Sequence, residues 1–134
     1  MENFVWSARV YYEDTDASGL VFYANYLKFM ERARTEWLRS NGLTQRSLMK
    51  DPGIIFVVRK AEVNYFSPAF FDDLLTIKTN INRIQGASLE FNQQVICDKK
   101  NKPLCQGIIK VACLDSNNLK PKKIPQNVRQ KFLI

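Results

Sequence analysis

The chain has 134 residues, 46% of them hydrophobic and 25% charged, which is the composition of an ordinary globular protein and predicts a single domain over residues 1–134. Its net charge of +7 favours an anionic partner, such as a phosphate-bearing cofactor, a nucleic acid or an acidic membrane surface. The absence of histidine argues against a transition-metal site, and the absence of a long apolar run or a signal-peptide pattern predicts a cytoplasmic protein without a transmembrane segment.

The first third of the chain predicts a strand, an acidic turn and two helices. Residues 4–12 are rich in β-branched and aromatic side chains, which is typical of a strand. Residues 24–41 predict a long helix, and Gly42 fits the left-handed residue that often ends one. The apolar stripe of this helix is Tyr26, Met30, Ala33 and Trp37, widened by Leu27 and Leu38, and the remaining surface carries Lys28, Glu31, Arg32, Arg34 and Arg39. A short second helix is predicted from Thr44 to just before Asp51.

The rest of the chain predicts four strands, at about residues 54–66, 74–85, 88–97 and 104–115. Their short connections predict antiparallel pairing between consecutive strands. Five strands with a single long helix to cover them predict an α+β fold in which the sheet curls around that helix. Residues 54–58 and 108–114 are apolar at consecutive positions, so each is expected to be covered on both faces or to meet another subunit.

The three cysteines, Cys97, Cys105 and Cys113, all fall in predicted strands and lack the spacing of a metal-binding motif. They are expected to be reduced, partly buried thiols. Cys97 and Cys105 are also placed so that they could face each other across a hairpin centred near Asn101, which would matter only in an oxidising compartment.

The acidic turn raises the first question of function. Glu13, Asp14 and Asp16 lie just before a predicted helix whose start, residues 19–24, offers no Ser, Thr, Asp or Asn as a side-chain cap. The first amides of that helix therefore need water or a ligand oxygen, and the helix dipole adds positive charge there. Free amides could hold an oxyanion while a carboxylate activates water or attacks a carbonyl.

A structural role for these acids is the alternative, because acidic residues suit helix N-termini and turns. If the chain is still extended there, the side chains of Asp14 and Asp16 point the same way. One of the two is then expected to orient the loop while the other takes part in chemistry.

The stretch VYYEDTDASGLVFYANYLKFMERARTEWL resembles the signature of the 4-hydroxybenzoyl-CoA thioesterase family, and most closely its YbgC-type bacterial acyl-CoA thioesterases. The matching pattern is D-x-D-x-x-G-[IVL]-V-[FWY]-[HY]-x-x-Y, and FVVRKAEVNYFSPAFFDDLLTI and RIQGASLEFNQQV match further along. The resemblance extends to about residue 125. It implies the hot-dog fold, in which a five-stranded antiparallel sheet wraps around one long central helix, and homodimers or homotetramers whose active sites lie between subunits.

Carried over position by position, the resemblance makes Asp16 the catalytic carboxylate and places the backbone N–H of Tyr23 against the thioester carbonyl. Many YbgC-type proteins have His at the position of Tyr23. The tyrosine cannot take over a role of the imidazole ring, but its backbone N–H can still bind the carbonyl. The signature positions Gly19, Val21 and Phe22 are expected to contact the substrate. The phosphates of coenzyme A are expected at Arg83, and also at Arg59 and Lys60, although these three match the family less specifically than Asp16 does; each could equally be a solvated surface cation.

The sequence thus predicts an acyl-CoA thioester hydrolase that needs no cofactor or metal, coenzyme A being part of the substrate. Acyl carrier protein is an alternative carrier of the acyl group. A non-catalytic protein that binds acyl thioesters or acyl carrier protein, as a scaffold linked to the cell envelope, is the alternative function. A hot-dog dehydratase or hydratase is disfavoured by the absence of His, and nucleic-acid binding by the lack of any supporting motif beyond charge.

Overall fold

The computed structural model describes residues 3–133 of the chain. Its strands are Phe4–Arg9 (β1), Ile54–Tyr65 (β2), Leu74–Gln85 (β3), Ser88–Cys97 (β4) and Lys102–Asp115 (β5), and its α-helices are Asn25–Ser40 (α1), Gln45–Lys50 (α2) and Gln126–Phe132 (α3). The strands form one antiparallel sheet in the order β1-β3-β4-β5-β2. The predicted α+β architecture is confirmed.

Helix α1 supplies the apolar face that the sheet covers. Tyr26, Met30, Ala33 and Leu38 are buried as the predicted stripe requires, and Trp37 packs half-buried against the core. The prediction was wrong for Leu27, which is exposed, because the helix turns Phe29 inward in its place. The helix ends as predicted, with Gly42 at φ +77° and its N–H donating to the carbonyl of Arg39.

The predicted pairing of consecutive strands is wrong at one point, because β2 pairs with β5 and not with β3. The segment between β2 and β3 does not fold them into a hairpin. Its Ala69 accepts a hydrogen bond from the N–H of Val21 and donates one to the hydroxyl of Tyr26, and the N–H of Phe71 donates to the carbonyl of Gly19. The segment therefore passes beside the start of α1 and leaves β2 at the edge of the sheet.

Smaller differences concern the two ends of the chain and the cysteines. Strand β1 is shorter than predicted because residues Tyr12–Asp14 form a 3₁₀ turn. Helix α3 was not predicted; its buried side chains, Val128 and Phe132, are four residues apart on one face. The three cysteines are free and buried, as expected, and Cys105 lies opposite Val95 rather than opposite Cys97.

The two strands with consecutive apolar residues differ in their surroundings. In residues 108–114 four of the seven side chains are buried, but Lys110 is exposed and its neighbours on the same face, Ile108 and Leu114, are only partly buried, so the expected cover on both faces is incomplete. In β2 the side chains become exposed from Val57 onward, and Val58 is 50% exposed. This strand is the one that fits the alternative prediction, contact with another subunit. Within residues 3–133, no helix is long and apolar enough to cross a lipid bilayer.

Candidate active site

The loop between β1 and α1 places the two aspartates of the acidic turn in different environments. Asp14 is only 6% exposed, and its carboxylate accepts a hydrogen bond from the N–H of Tyr11 (2.9 Å). Its carbonyl accepts two more, from the N–H of Phe22 (3.1 Å) and the side-chain amide of Asn25 (2.7 Å). Asp14 therefore ties the acidic turn to the first residues of α1 and has a structural role.

Asp16 lies in the opposite environment, fully exposed to solvent. Its carboxylate accepts hydrogen bonds from the hydroxyl (2.5 Å) and the N–H (2.9 Å) of Ser18, and these lower the pKa of Asp16. The turn closes where the N–H of Gly19, at φ +83°, donates to the carbonyl of Asp16. The expectation that Asp14 and Asp16 point the same way is wrong, because the 3₁₀ turn replaces an extended chain.

The start of α1 has no side-chain cap, as the sequence predicts; Ala24 occupies the N-cap position. The N–H of Phe22 is engaged by Asp14, and the N–H of Asn25 donates to the carbonyl of Phe22 (2.8 Å). Within residues 3–133, the N–H groups of Tyr23 and Ala24 find no protein acceptor. These two free donors lie at the positive end of the helix dipole.

A cleft of about 310 Å³ opens beside these donors, and we refer to it as the Tyr23 cleft. Its lining is mostly aromatic and consists of Val21, Tyr23, Tyr26, Tyr65, Phe66, Ser67 and Pro68. The hydroxyl of Tyr65, at the end of β2, donates to the carbonyl of Tyr23 (3.1 Å) and holds the helix start in place. Burial raises the pKa of both Tyr26 and Tyr65, so both phenols are neutral at neutral pH.

The predicted substrate contacts in the loop do not all reach this cleft. Val21 and Tyr23 line it, whereas Gly19 and Phe22 do not. Gly19 provides the positive φ that the turn requires, and Phe22 remains 46% exposed with its ring tilted against that of Tyr23 (4.7 Å between centroids). These two residues shape the loop rather than the cleft.

A second cleft, of about 190 Å³, collects the predicted phosphate contacts, and we refer to it as the arginine cleft. Arg59 reaches it from a bulge in β2, and Arg83 from the end of β3. Lys110 of β5 also lines it, a residue that no sequence pattern had singled out. Lys60 does not line it, and its ammonium group forms an ion pair with Glu62 (2.7 Å). The full lining is Arg59, Arg83, Gln85, Ser88, Leu89, Glu90, Lys110 and Val111.

Several residues that position the site were missed by the sequence analysis. Ser18 has a signal in the sequence, because a serine two residues after an aspartate commonly closes an Asx turn. Asn25 and Tyr65 act through distant backbone carbonyls, and no local pattern marks such contacts. Lys110 lies directly opposite Glu90 and Lys60 in the sheet, which is a property of strand register.

The arrangement places an ionised, accessible carboxylate on the same loop as two free amides, and a cationic cleft elsewhere in the chain. The Tyr23 cleft and the arginine cleft share no lining residue. In the described part of the chain, no group of three or more Cys, Asp and Glu side chains is placed to hold a metal ion.

Comparison with known proteins agrees with this geometry. The thioesterase-like superfamily matches residues 10–132. The acyl-CoA thioester hydrolase YbgC of Escherichia coli O6:H1 is 43% identical over 129 residues, covering 96% of this chain and 95% of that protein. The crystal structure of a probable thioesterase from Bartonella henselae is 38% identical, with a TM-score of 0.87 over 92% of this chain and 100% of that one.

The fold is shared more widely than the sequence. A 4-hydroxybenzoyl-CoA thioesterase, solved in complex with 4-hydroxybenzoyl-CoA, has a TM-score of 0.90 over 97% of this chain and 98% of that one at only 18% identity, which is a likeness of fold alone. The sheet wrapped around α1 is thus the hot-dog fold. The chain belongs to the thioesterase-like superfamily and, within it, to the YbgC-type acyl-CoA thioesterases.

Proposed function

We propose that this protein hydrolyses acyl-CoA thioesters to the free acid and coenzyme A, with Asp16 as the catalytic carboxylate. The observation that carries the proposal is that one loop carries both the exposed carboxylate of Asp16, which does not line the Tyr23 cleft, and the unpartnered amides of Tyr23 and Ala24. The name of the E. coli relative supports the reaction class. The free N–H groups of Tyr23 and Ala24 are suited to the oxyanion that forms when the thioester carbonyl is attacked.

Two routes are compatible with this geometry. In the first, Asp16 takes a proton from water as the water oxygen attacks the carbonyl, and the thiolate of coenzyme A leaves. In the second, Asp16 attacks the carbonyl itself, the thiolate leaves, and water hydrolyses the resulting anhydride. Both require an ionised Asp16, which the hydrogen bonds from Ser18 favour by lowering its pKa.

The remaining predicted residues take supporting roles in this proposal. Val21 and the ring of Tyr23 shape the space for the part of the acyl group next to the thioester, and Gly19 and Phe22 hold the loop. Arg59 and Arg83, joined by Lys110, hold the phosphates of coenzyme A in the arginine cleft. Lys60 acts on these phosphates only by long-range attraction between charges, because its ammonium group already forms an ion pair with Glu62.

Because the Tyr23 cleft and the arginine cleft are separate within one chain, we expect each active site to use two subunits of a homodimer or homotetramer. Asp16 of one chain would then act on a thioester whose phosphates lie on Arg83 of the other. Edge strand β2, exposed from Val57 onward, is the element we expect to join the two chains. A cytoplasmic location and the absence of any further cofactor remain predictions.

A non-catalytic protein that binds acyl thioesters or acyl carrier protein is the second candidate. The observation that favours it is a group of exposed aromatic side chains around the acidic turn: Tyr11, Tyr12, Phe22, Phe70 and Phe71. Such a surface is typical of a site for a protein partner. Release of free thiol from acyl-CoA and from acyl carrier protein thioesters separates the two functions and shows which carrier is used.

The decisive test is thiol release by Asp16→Asn. We expect kcat to fall by about 10²–10⁴-fold, because the amide can act neither as base nor as nucleophile. The melting temperature should change little, since the side chain is exposed. Glu13→Gln removes the same charge from the same turn and should keep near-native turnover. Turnover by Asp16→Asn close to that of the native chain would contradict the assignment.

A further inference from the structure

A third cavity lies under the second half of α1, away from the acidic loop, and we refer to it as the Arg34 cavity. It measures about 230 Å³, and its lining includes Glu31, Arg34, Trp37, Phe56, Val58 and Phe91. Cavities of about 150 Å³ already hold a benzene ring, so this one accommodates a substituted ring or a branched chain of similar bulk. Its walls suit an apolar ligand, since Trp37 and Phe91 meet edge to face (5.2 Å).

One polar group stands out among these walls. The guanidinium group of Arg34 is half-buried. Among residues 3–133 it has one hydrogen-bond acceptor, because its Nη1 donates to Oε1 of Gln93 (2.8 Å). It forms no ion pair with any described residue. A guanidinium group has five N–H donors, and burying it without an anion is costly. The cavity therefore contains a cation whose remaining donors are available to a ligand.

The position of Arg34 is fixed by a buried network. Gln93 is fully buried, and its Nε2 donates both to the carbonyl of Met30 (2.9 Å) and to the hydroxyl of Thr79 (2.9 Å). These two bonds orient Oε1 toward Arg34, so the guanidinium group is held rather than free to swing into solvent. A prearranged donor group binds an anion without the entropic cost of ordering a long side chain.

The carboxylate that lines the cavity with Arg34 forms no ion pair with it. Glu31 lines the same cavity but accepts a hydrogen bond from the hydroxyl of Thr35 (2.8 Å) and remains exposed. Burial lowers the pKa of Arg34 to about 10, against the opposing effect of Glu31, so Arg34 is still charged at neutral pH. The positive charge in the cavity is thus present when a ligand arrives.

The Arg34 cavity also adjoins the arginine cleft, because Leu89 and Val111 line both. A ligand whose phosphates lie on Arg59 and Arg83 therefore lies directly beside this cavity. The cavity is also bordered by Phe56 and Val58 of the edge strand, where we expect the second subunit.

We propose that the Arg34 cavity binds a carboxylate carried on an apolar body of about the size of one ring, with Arg34 as the group that recognises the carboxylate. The carboxylate has two possible sources: the far end of the acyl group of the substrate, or a free organic acid. The first source rests on the proposed function, whereas binding of the acid itself rests on the cavity alone.

The first experiment measures binding without any hydrolysis. Trp6 and Trp37 are the two tryptophans of the chain, so Trp6→Phe leaves Trp37, inside the cavity, as the only one. We expect phenylacetate to change the emission of Trp37 with saturation, and phenylacetamide, its uncharged analogue, to bind about 10- to 100-fold more weakly.

Variants of Arg34 make this titration specific. Arg34→Gln should weaken phenylacetate binding by a similar factor, and Arg34→Lys, which keeps the charge, should recover part of it. Arg32→Gln, an exposed arginine on the same helix, is the matched control and should bind as the parent does. Melting curves establish that each variant is folded. Equal affinity for the acid and the amide, or for the parent and folded Arg34→Gln, would overturn the proposal.

The second experiment identifies the source of the carboxylate by comparing 4-carboxybenzoyl-CoA with 4-methylbenzoyl-CoA. If the carboxylate belongs to the acyl group, Arg34→Gln lowers kcat/KM about 10- to 100-fold for the first thioester and less than about 3-fold for the second. If the ligand is a free acid, Arg34→Gln affects both thioesters alike while the titration still depends on Arg34. Loss of all hydrolysis with an intact titration would refute only the proposed function.

Discussion

At the scale of single residues, the acidic turn shows how two aspartates separated by one residue acquire different roles. Asp14 is buried and its carboxylate accepts a hydrogen bond from a backbone N–H, whereas Asp16 is exposed and, among the described residues, its carboxylate accepts hydrogen bonds only from Ser18. The sequence predicted that the two would divide these tasks, and the family resemblance selected Asp16. The sequence could not show how Asp14 becomes buried while Asp16 stays exposed. The 3₁₀ turn that rotates Asp14 inward depends on contacts with Phe22 and Asn25, which lie further along the chain.

Ser18→Ala tests how the charge of Asp16 is maintained. The hydroxyl of Ser18 is the largest cause of the lowered pKa of Asp16, so its removal should raise that pKa toward the ordinary value of 3.8. Because the proposed reaction needs the ionised form, the acidic limb of kcat/KM should move to higher pH, while activity at neutral pH should remain largely intact. Rates between about pH 3 and 6, with circular dichroism to establish folding, give the answer. An unmoved acidic limb would show that another group controls it.

Substitutions of Tyr23 separate its backbone from its side chain. Tyr23→Phe and Tyr23→His keep the N–H that we assign to the oxyanion, so both should keep kcat within about 10-fold of the native value and change the preference among acyl groups. Steady-state kinetics on short, long and aromatic acyl-CoAs measure both quantities. A collapse of kcat in folded Tyr23→Phe would instead assign the phenol hydroxyl to the chemistry.

At the scale of helices and strands, most of the fold was predictable, because alternation in the strands and the apolar stripe of α1 are local patterns. The exceptions arise from contacts between distant segments. Arg34 lies on the polar side of a helical projection, yet the curled sheet reaches far enough around α1 to half-bury it against Gln93. Helix α3 was missed because basic residues mask its apolar positions; Phe132 packs on Trp37 at 4.6 Å.

The contact between α1 and β5 depends on a glycine. A Cβ on Gly107 would lie 3.0 Å from the sulfur of Met30 and 3.1 Å from its Cε, in a position where Met30 is completely buried. Gly107→Ala should therefore lower the free energy of unfolding by about 1–3 kcal/mol, as measured by urea denaturation.

A double-mutant cycle provides the control for this prediction. In a Met30→Ala background the added methyl group has space, so Gly107→Ala should cost less than it does in the native chain. Equal costs in the two backgrounds would mean that the helix and sheet do not meet as tightly as the distances indicate.

At the scale of the whole molecule, the long edge strand β2 is the feature behind our expectation of a second copy. Edge strand β2 is 12 residues long and exposed over most of its length, and such edges are usually covered in natural proteins. The sequence indicated this through its apolar run at residues 54–58. It could not indicate which strand lies at the edge, since β2 was expected to pair with β3.

Mixing two inactive variants tests whether the active site is shared. Asp16→Asn and Arg83→Ala chains should each have low activity alone. After subunit exchange they should regain up to about a quarter of native activity, since half of randomly paired dimers are mixed and each mixed dimer has one intact site. Sedimentation should show at least a dimer. A fully active monomer, or no recovery despite proven exchange and a severe Arg83→Ala defect, would contradict sharing.

The exposed edge of β2 has a further consequence for the cell. If two chains must join along it before any site is whole, the fraction of chains able to work is governed by mass action and not by folding alone. Halving the copy number would then remove more than half of the working sites once the concentration approaches the dissociation constant of the pair. Expression level would set both the amount of this protein and the fraction of its chains that belong to an active dimer.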